Sequence, residues 1–181
     1  MLKRMLVIAG ILALAGCSQS PSMQAKAPLK DGDPVVPANY KAWPKMLGDV
    51  QRADAKQVRD MYIDPFGHKT KAGGEFPYGT VMVMENYAAV ANADGTLVTG
   101  PDGKLVKGPL VRIFVMEKAR GAGMDVPEAL RNAEWVYASY GADGRKTDDN
   151  LTACRACHLT LGPKVDFVQR YDEYFQKRAA Q

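Results

Sequence analysis

Two cysteines and a histidine stand close together near the end of this 181-residue chain, in the run Cys154-Arg155-Ala156-Cys157-His158. Cys-x-x-Cys-His is the attachment sequence of c-type haem, in which both thiols form thioethers with the porphyrin and the histidine binds the iron. One short turn can place the two sulfurs beside one porphyrin edge and the next ring at the metal. The motif therefore predicts one covalent haem c per chain, with iron bound by His158.

Two other uses of the motif remain open. A dithiol redox site also has Cys-x-x-Cys, but it usually stands at a helix N-terminus in a βαβ unit that this sequence lacks. A structural zinc site could recruit Cys154, Cys157, His158 and His68, which is the only other histidine. Adjacent Cys and His residues fit a tetrahedral site poorly, so haem is the preferred prediction.

The N-terminus has the pattern of an export signal. Lys3 and Arg4 precede an uncharged apolar run over residues 5–15, which is too short for a mature membrane span. The following Leu14-Ala15-Gly16-Cys17 resembles the bacterial lipobox, in which the cysteine is acylated and becomes the new N-terminus. We therefore expect a signal peptide over residues 1–16 and a lipid anchor on Cys17.

Residues 17–37 are rich in Ser, Pro, Lys, Gln and Ala and contain almost no large apolar side chain. Such a segment buries too little surface to offset its ordering entropy, so it is expected to be a flexible tether to a haem domain over residues 38–181. Ser18 follows the anchor cysteine, where retention at the inner membrane would require Asp. The lipobox resemblance therefore implies an exported protein on the outer membrane, facing the periplasm.

The charge balance excludes one class of partner. The 24 Lys and Arg residues include Lys3 and Arg4 of the predicted signal peptide, so 22 remain against 20 Asp and Glu residues. This near balance predicts no basic surface for nucleic acid.

The middle of the chain predicts an antiparallel sheet. Segments rich in Val, Met and Tyr, or with alternating apolar side chains, predict strands over residues 79–90, 110–117 and 134–140. Asp94-Gly95 and Asp102-Gly103, between the first two strands, are typical of hairpin turns.

Two helices are expected beside these strands. Residues 49–61 have helical composition, and residues 164–178 show apolar side chains at helical spacing. The predicted fold class is therefore α+β, an antiparallel β-sheet-rich domain with flanking helices.

Four pieces of sequence, in this order, resemble the cytochrome P-460 family and its relatives, the cytochromes c-prime-beta. The resemblance extends from Tyr40 to about Tyr174. The pieces are Val58-Arg59-x-x-Tyr62-Ile63-Asp64-Pro65, Gly74-Glu75-Phe76-x-x-Gly79-Thr80-Val81-x-Val83-x-Glu85, Cys154-x-x-Cys157-His158 and Asp166-Phe167-Val168.

The resemblance implies a strand-rich monohaem cytochrome, commonly a homodimer, whose five-coordinate iron binds nitrogen-oxide species. Cytochromes P-460 oxidise hydroxylamine with the help of a lysine cross-linked to the haem. The c-prime-beta members lack that bond and bind nitric oxide and other small gases. A periplasmic redox partner is expected in either case.

Met84 stands where the family has its cross-linking lysine. A thioether cannot form an amine bond to the porphyrin, and nothing in the spacing of Lys69 or Lys71 favours either as a substitute. We therefore predict an open iron site that binds or processes nitric oxide or a related small nitrogen species. The alternatives are an enzyme that oxidises hydroxylamine or peroxide, and an electron carrier in which Met84 or His68 is the sixth ligand.

Three further residues are candidate catalytic groups. Arg59 matches a family arginine, although a salt bridge or a contact to a haem propionate would explain it equally well. Asp148 and Asp149 precede the haem motif, near the place where catalytic members carry a distal carboxylate. An Asp-Asp-Asn run is also typical of a solvated turn.

Overall fold

A computed structural model describes residues 27–181 of the chain. It contains five strands: β1 Lys45–Arg52, β2 Gln57–Ile63, β3 Val81–Ala89, β4 Lys107–Lys118 and β5 Trp135–Gly141. Two α-helices follow, α1 Leu151–Leu159 and α2 Tyr171–Ala179. The predicted signal peptide, Cys17 and the first part of the tether lie outside the described residues. Within the described range, no helix is both long enough and apolar enough to cross a bilayer.

The strands form one antiparallel sheet in the order β1-β2-β3-β4-β5. This confirms the predicted α+β class, and β3, β4 and β5 confirm the three predicted strands. The two Asp-Gly turns also form, because short antiparallel bridges join Ala91 to Leu97 and Thr99 to Leu105 on either side of them.

The predicted helix over residues 49–61 is wrong. This segment is the end of β1, a short 3-10 turn at Ala53–Ala55, and most of β2. The turn contains both Ala residues of the segment, and Lys56 closes it with a positive φ of 51°. Strand pairing on both sides of β2 outweighs local propensity, which is a weak determinant when tertiary contacts oppose it.

The predicted C-terminal helix is shorter than residues 164–178. Asp166, Phe167 and Arg170 have positive φ values of 49°, 56° and 56°, so the α-helical conformation begins only at Tyr171. The predicted apolar stripe is present from that point, because Tyr171, Tyr174 and Phe175 are buried. Helix α1 was not predicted, although it carries the Cys-x-x-Cys-His motif.

The sheet has two faces with separate cores. We call one the helix face: its row Ile63–Met82–Met116–Tyr137 lies in the core shared with α2 and part of α1. The other, the outer face, carries the neighbouring row Tyr62–Val83–Val115–Ala138 and is covered by Tyr40, Val36 and Trp43. Alternation along β3 therefore sends Met82, Met84 and Asn86 to the helix face and Val83 and Glu85 to the outer face.

The last part of the predicted tether contacts the domain. The Gly32 N–H donates to the Tyr137 carbonyl at 2.7 Å, and Asp31 accepts the Tyr137 N–H at 3.0 Å. The Tyr140 hydroxyl donates to the Pro34 carbonyl at 2.6 Å. These bonds occupy the open edge of β5, which would otherwise present unpaired backbone groups to solvent. Residues 31–34 thus pack against the domain, although they belong to the segment predicted as a tether.

Candidate functional site

Helix α1 presents the motif on one side. Asn150 caps the helix by accepting the Thr152 N–H at 3.1 Å. Cys154, Cys157 and His158 occupy positions i, i+3 and i+4, which share one face of an α-helix. All three residues line the same cleft between α1 and the helix face of the sheet. The local fold therefore brings both sulfurs and the imidazole to one opening.

Arg155, between the two cysteines, fixes the other side of α1. It is 1% exposed, and its Nε donates to Asp31 Oδ2 at 2.6 Å. Its Nη2 also donates to the Trp135 carbonyl at 3.2 Å, and its own carbonyl accepts from Asn132 Nδ2 at 3.1 Å. These contacts tie the motif-bearing helix to β5 and to the N-terminal segment.

His158 is held in one tautomer. Its Nδ1 lies 2.6 Å from the carbonyl oxygen of Phe167, which can only accept, so Nδ1 carries the proton. The ring also packs on Tyr137, with 5.1 Å between the ring centroids. Burial lowers the pKa of His158, although the bond to Phe167 opposes this shift. The result is a neutral imidazole whose Nε2 keeps a free lone pair, the form in which histidine binds metals.

The cleft that receives these groups measures about 1040 Å³, its mouth included. Its walls are mostly apolar and rich in thioethers, with Phe114 and Val168 beside five methionines: Met46, Met61, Met82, Met84 and Met116. Cationic side chains also line it, namely Arg52, Arg59 and Arg170. Such a space, apolar with a few charged groups, suits a flat apolar macrocycle that carries carboxylates.

Polar atoms in the cleft fit the same group. The Oδ1 atom of Asn86 and the hydroxyl of Tyr137 are buried and have no hydrogen-bond partner within residues 27–181. Buried polar atoms in native proteins are nearly always paired, so such atoms at a cleft are consistent with a ligand that completes them. The residues present therefore fit a haem.

The Cys154 thiol does not have the environment of a reactive redox cysteine. Reactive cysteines have a lowered pKa, often at a helix N-terminus. Burial instead raises the pKa of Cys154, which is the fourth residue of α1. The raised pKa of Cys154 therefore disfavours the dithiol alternative.

The zinc alternative requires His68 to join the motif. His68 lies outside the cleft, with its Nδ1 2.8 Å from the hydroxyl of Tyr174. Among residues 27–181, no three His, Cys, Asp or Glu side chains are grouped so as to hold a metal ion. The same position separates His68 from the proposed iron site, which leaves Met84 as the candidate sixth ligand.

The other sequence-predicted residues divide into two groups. Met84 and Arg59 line the cleft. Asp148 is exposed, and Asp149 lies 3.3 Å from Arg112 in an ion pair; neither lines the cleft. Lys69 and Lys71 are also exposed and outside it, so neither stands in for the family's cross-linking lysine.

Arg59 is held by an amide network rather than by a carboxylate. Its Nε and Nη2 donate to Gln57 Oε1 at 3.2 and 2.8 Å, and Asn86 Nδ2 donates to the same oxygen at 3.2 Å. Burial lowers the pKa of the Arg59 guanidinium. No ion pair to Arg59 forms within the described part of the chain, so its charge is available to a negative group in the cleft.

Sequence reasoning missed the residues that support the site. The Phe167 carbonyl is a backbone atom and has no signal in the side-chain pattern. Gln57 and Asn86 become neighbours only through the pairing of β2 with β3, in a segment that was predicted to be helical. Asp31 was placed in a tether, because the burial of Arg155, which requires an acidic partner, is visible only in the structure.

A helix with both thiols and a metal-ready imidazole on one face, closing an apolar cleft of an antiparallel sheet, defines a haem-binding α+β domain. The family model for cytochrome P460 matches residues 37–169, so the chain belongs to the cytochrome P460 family, and membership implies a haem cofactor. No curated protein matches the chain at a significant level.

Proposed function

We propose that this chain is a monohaem c-type cytochrome that binds nitric oxide or a related small nitrogen species at an open iron position. Cys154 and Cys157 would form the thioethers, and His158 would bind the iron. The observation that carries the proposal is the single face of α1 that presents all three groups to the cleft. Haem iron, when bound, supplies the ligand-binding and one-electron chemistry.

The side chains around the cleft support an open position. Apart from the motif itself, the described lining residues contain no His, Cys, Asp or Glu. Apart from Tyr137, whose ring packs on His158, the strongest additional iron ligand they offer is therefore a methionine thioether. These flexible apolar side chains exclude water from a small ligand and pack around it.

Arg59 and Asn86 give the cleft a polar corner. The guanidinium donates, and the unpartnered Asn86 Oδ1 accepts. We propose that Arg59 offsets negative charge in the cleft, that of a haem propionate or of the bound ligand.

Electron transfer is the second candidate function. It is favoured by one observation, the presence of Met84 in the cleft wall. A carrier benefits from two strong axial ligands, which limit structural change between oxidation states. Oxidation of hydroxylamine or peroxide has less support, because its proposed bases, Asp148 and Asp149, lie outside the cleft.

Ultraviolet-visible spectra of the ferric and ferrous protein distinguish these functions. The protein is produced in cells competent in haem attachment, beside Met84→Ala and the matched control Met116→Ala, which removes another cleft thioether. An open site predicts a high-spin ferric spectrum in all three proteins and rapid binding of nitric oxide to the ferrous forms. A low-spin ferric spectrum that becomes high-spin in Met84→Ala alone would contradict gas binding and establish the electron carrier.

We further propose that the chain is exported and held by Cys17 at the outer membrane, facing the periplasm, as a homodimer that exchanges electrons with a periplasmic partner. The leader pattern supports this location, and the family resemblance supports the homodimer. Cys17→Ser should leave an uncleaved or soluble exported form without the lipid anchor, while its haem spectrum persists. A wild-type protein that is freely soluble in the periplasm with an unmodified N-terminus would contradict the anchor.

A further inference from the structure

A buried ion pair lies behind His158. Lys118, the last residue of β4, is 3% exposed, and its Nζ is 2.8 Å from both carboxylate oxygens of Asp166. Asp166 is 2% exposed. A carboxylate and an ammonium removed from water in this way require close partners on both sides.

Asp166 has two more donors. The Phe76 N–H donates to Oδ2 at 2.8 Å, and the Trp135 indole N–H donates to Oδ1 at 3.3 Å. The carboxylate is thus fixed from three directions, by β4, by the loop before β3 and by β5. The described residues that line the cleft do not include Lys118, Asp166 or these two donors.

The backbone at this point is strained. Asp166 and Phe167 have consecutive positive φ values of 49° and 56°, a conformation that non-glycine residues rarely adopt. Such backbone persists where the surrounding contacts determine it. The bonds to the Asp166 side chain, together with the Phe167 N–H to Gly162 carbonyl bond of 3.1 Å, supply those contacts.

The strained turn places one backbone carbonyl beside the imidazole of His158. It turns the Phe167 carbonyl toward His158 Nδ1, at 2.6 Å. A hydrogen bond at Nδ1 orients a ligating imidazole and raises its basicity, which tunes the bound metal. The cluster therefore acts on His158 through the position of a single carbonyl.

We propose that Lys118 and Asp166 are positioning residues for the axial histidine: their ion pair holds the Phe167 carbonyl on His158 Nδ1 and thereby sets the strength of the iron–histidine bond. This inference rests on the proposed function, in which His158 binds the iron. It predicts that loss of the pair weakens the hydrogen bond, so that the imidazole becomes less basic and stabilises ferric iron less.

The test compares wild-type holoprotein with Lys118→Met and Asp166→Asn, which keeps an acceptor for the Phe76 N–H. Lys107→Met is the matched control, because Lys107 pairs with another buried aspartate, Asp60, at 2.9 Å on a different part of the sheet. The measurements are the iron–histidine stretching frequency of the ferrous protein by resonance Raman and the reduction potential. Both Lys118→Met and Asp166→Asn should show a lower frequency and a higher potential, and the control should show neither.

The outcomes separate this inference from the proposed function. Wild-type protein without an iron–histidine mode would overturn the open iron position of the proposed function, because six-coordinate low-spin haem does not show this mode. A wild-type mode that is unchanged in Asp166→Asn, with an unchanged potential, would overturn the positioning role and leave only a structural one. If Lys118→Met fails to fold, Lys118→Arg replaces it, and a frequency between those of wild type and Asp166→Asn is expected. A wild-type frequency in Lys118→Arg beside a lowered one in Asp166→Asn would also support the role, because the arginine conserves the ion pair.

Discussion

Alternate side chains of strand β3 lie on the two faces of the sheet. The two faces differ in whether their buried polar atoms have hydrogen-bond partners. On the outer face, Glu85 is fully buried and accepts hydrogen bonds from the hydroxyls of Tyr40 and Tyr87 at 2.6 and 2.8 Å. On the helix face, the neighbouring Asn86 leaves its Oδ1 unpartnered, as does the hydroxyl of Tyr137, within residues 27–181. Buried polar atoms are nearly always paired, so the unpartnered atoms of the helix face are consistent with a face that binds another molecule.

The largest loss of stability is expected when the hydrogen bonds to Glu85 on the outer face are removed. Glu85→Ala removes the acceptor of three tyrosine hydroxyls, of which those of Tyr40 and Tyr62 are buried. Buried donors left without an acceptor cost roughly 1–3 kcal/mol each, so we expect a loss of about 3 kcal/mol in the free energy of unfolding. Urea titration at neutral pH measures this loss. The haem spectrum should stay that of the wild type, and a changed spectrum would show that the two faces are not independent.

The pH dependence of stability should sharpen the same contrast. Burial raises the pKa of Glu85, but hydrogen bonds from Tyr40, Tyr87 and Lys41 outweigh it and hold the pKa below its ordinary value near 4.5. A lowered folded-state pKa gives stability that is present above the unfolded-state pKa and lost as the pH falls through the folded-state value. From about pH 5 to about pH 3, the wild type should therefore lose more stability than Glu85→Gln. If the wild type and Glu85→Gln lose the same amount of stability, the lowered pKa of Glu85 is contradicted.

A smaller effect is expected when the same type of substitution, Tyr to Phe, is made once on each face. Tyr40→Phe removes a hydroxyl that donates to Glu85, so it should cost about 1 kcal/mol of unfolding free energy and leave the reduction potential unchanged. Tyr137→Phe removes an unpartnered hydroxyl beside His158, so it should shift the potential and cost less stability. Urea titration and redox titration of the two variants measure both quantities. The comparison fails if Tyr40→Phe moves the potential and Tyr137→Phe does not.

The sequence predicted the parts of this molecule that depend on local chemistry. Strands β3, β4 and β5 were found because their Val, Met and Tyr residues alternate or cluster as a half-buried strand requires. The Cys-x-x-Cys-His motif predicted a haem, and the family supports that cofactor. Met84 was singled out, and it lines the cleft.

The parts that failed depend on contacts distant along the chain. Strands β1 and β2 were missed because their conformation depends on the pairing of β1 with β2 and of β2 with β3. The carbonyl that orients His158 depends on a strained turn fixed by Lys118, which lies 48 residues before its partner Asp166. No local pattern encodes such a pairing.

The central claim is that Cys154 and Cys157 bind haem covalently, and the mass of the denatured polypeptide tests it most directly. The protein is purified from cells competent in haem attachment, beside Cys154→Ala and Cys157→Ala, with Met116→Ala as a control that keeps both thiols. Wild type and control should carry the added mass of one haem after denaturation and acid-acetone extraction, and each cysteine variant should show weakened attachment. A wild-type mass equal to that of the bare polypeptide, with stoichiometric zinc in the native protein, would contradict the claim.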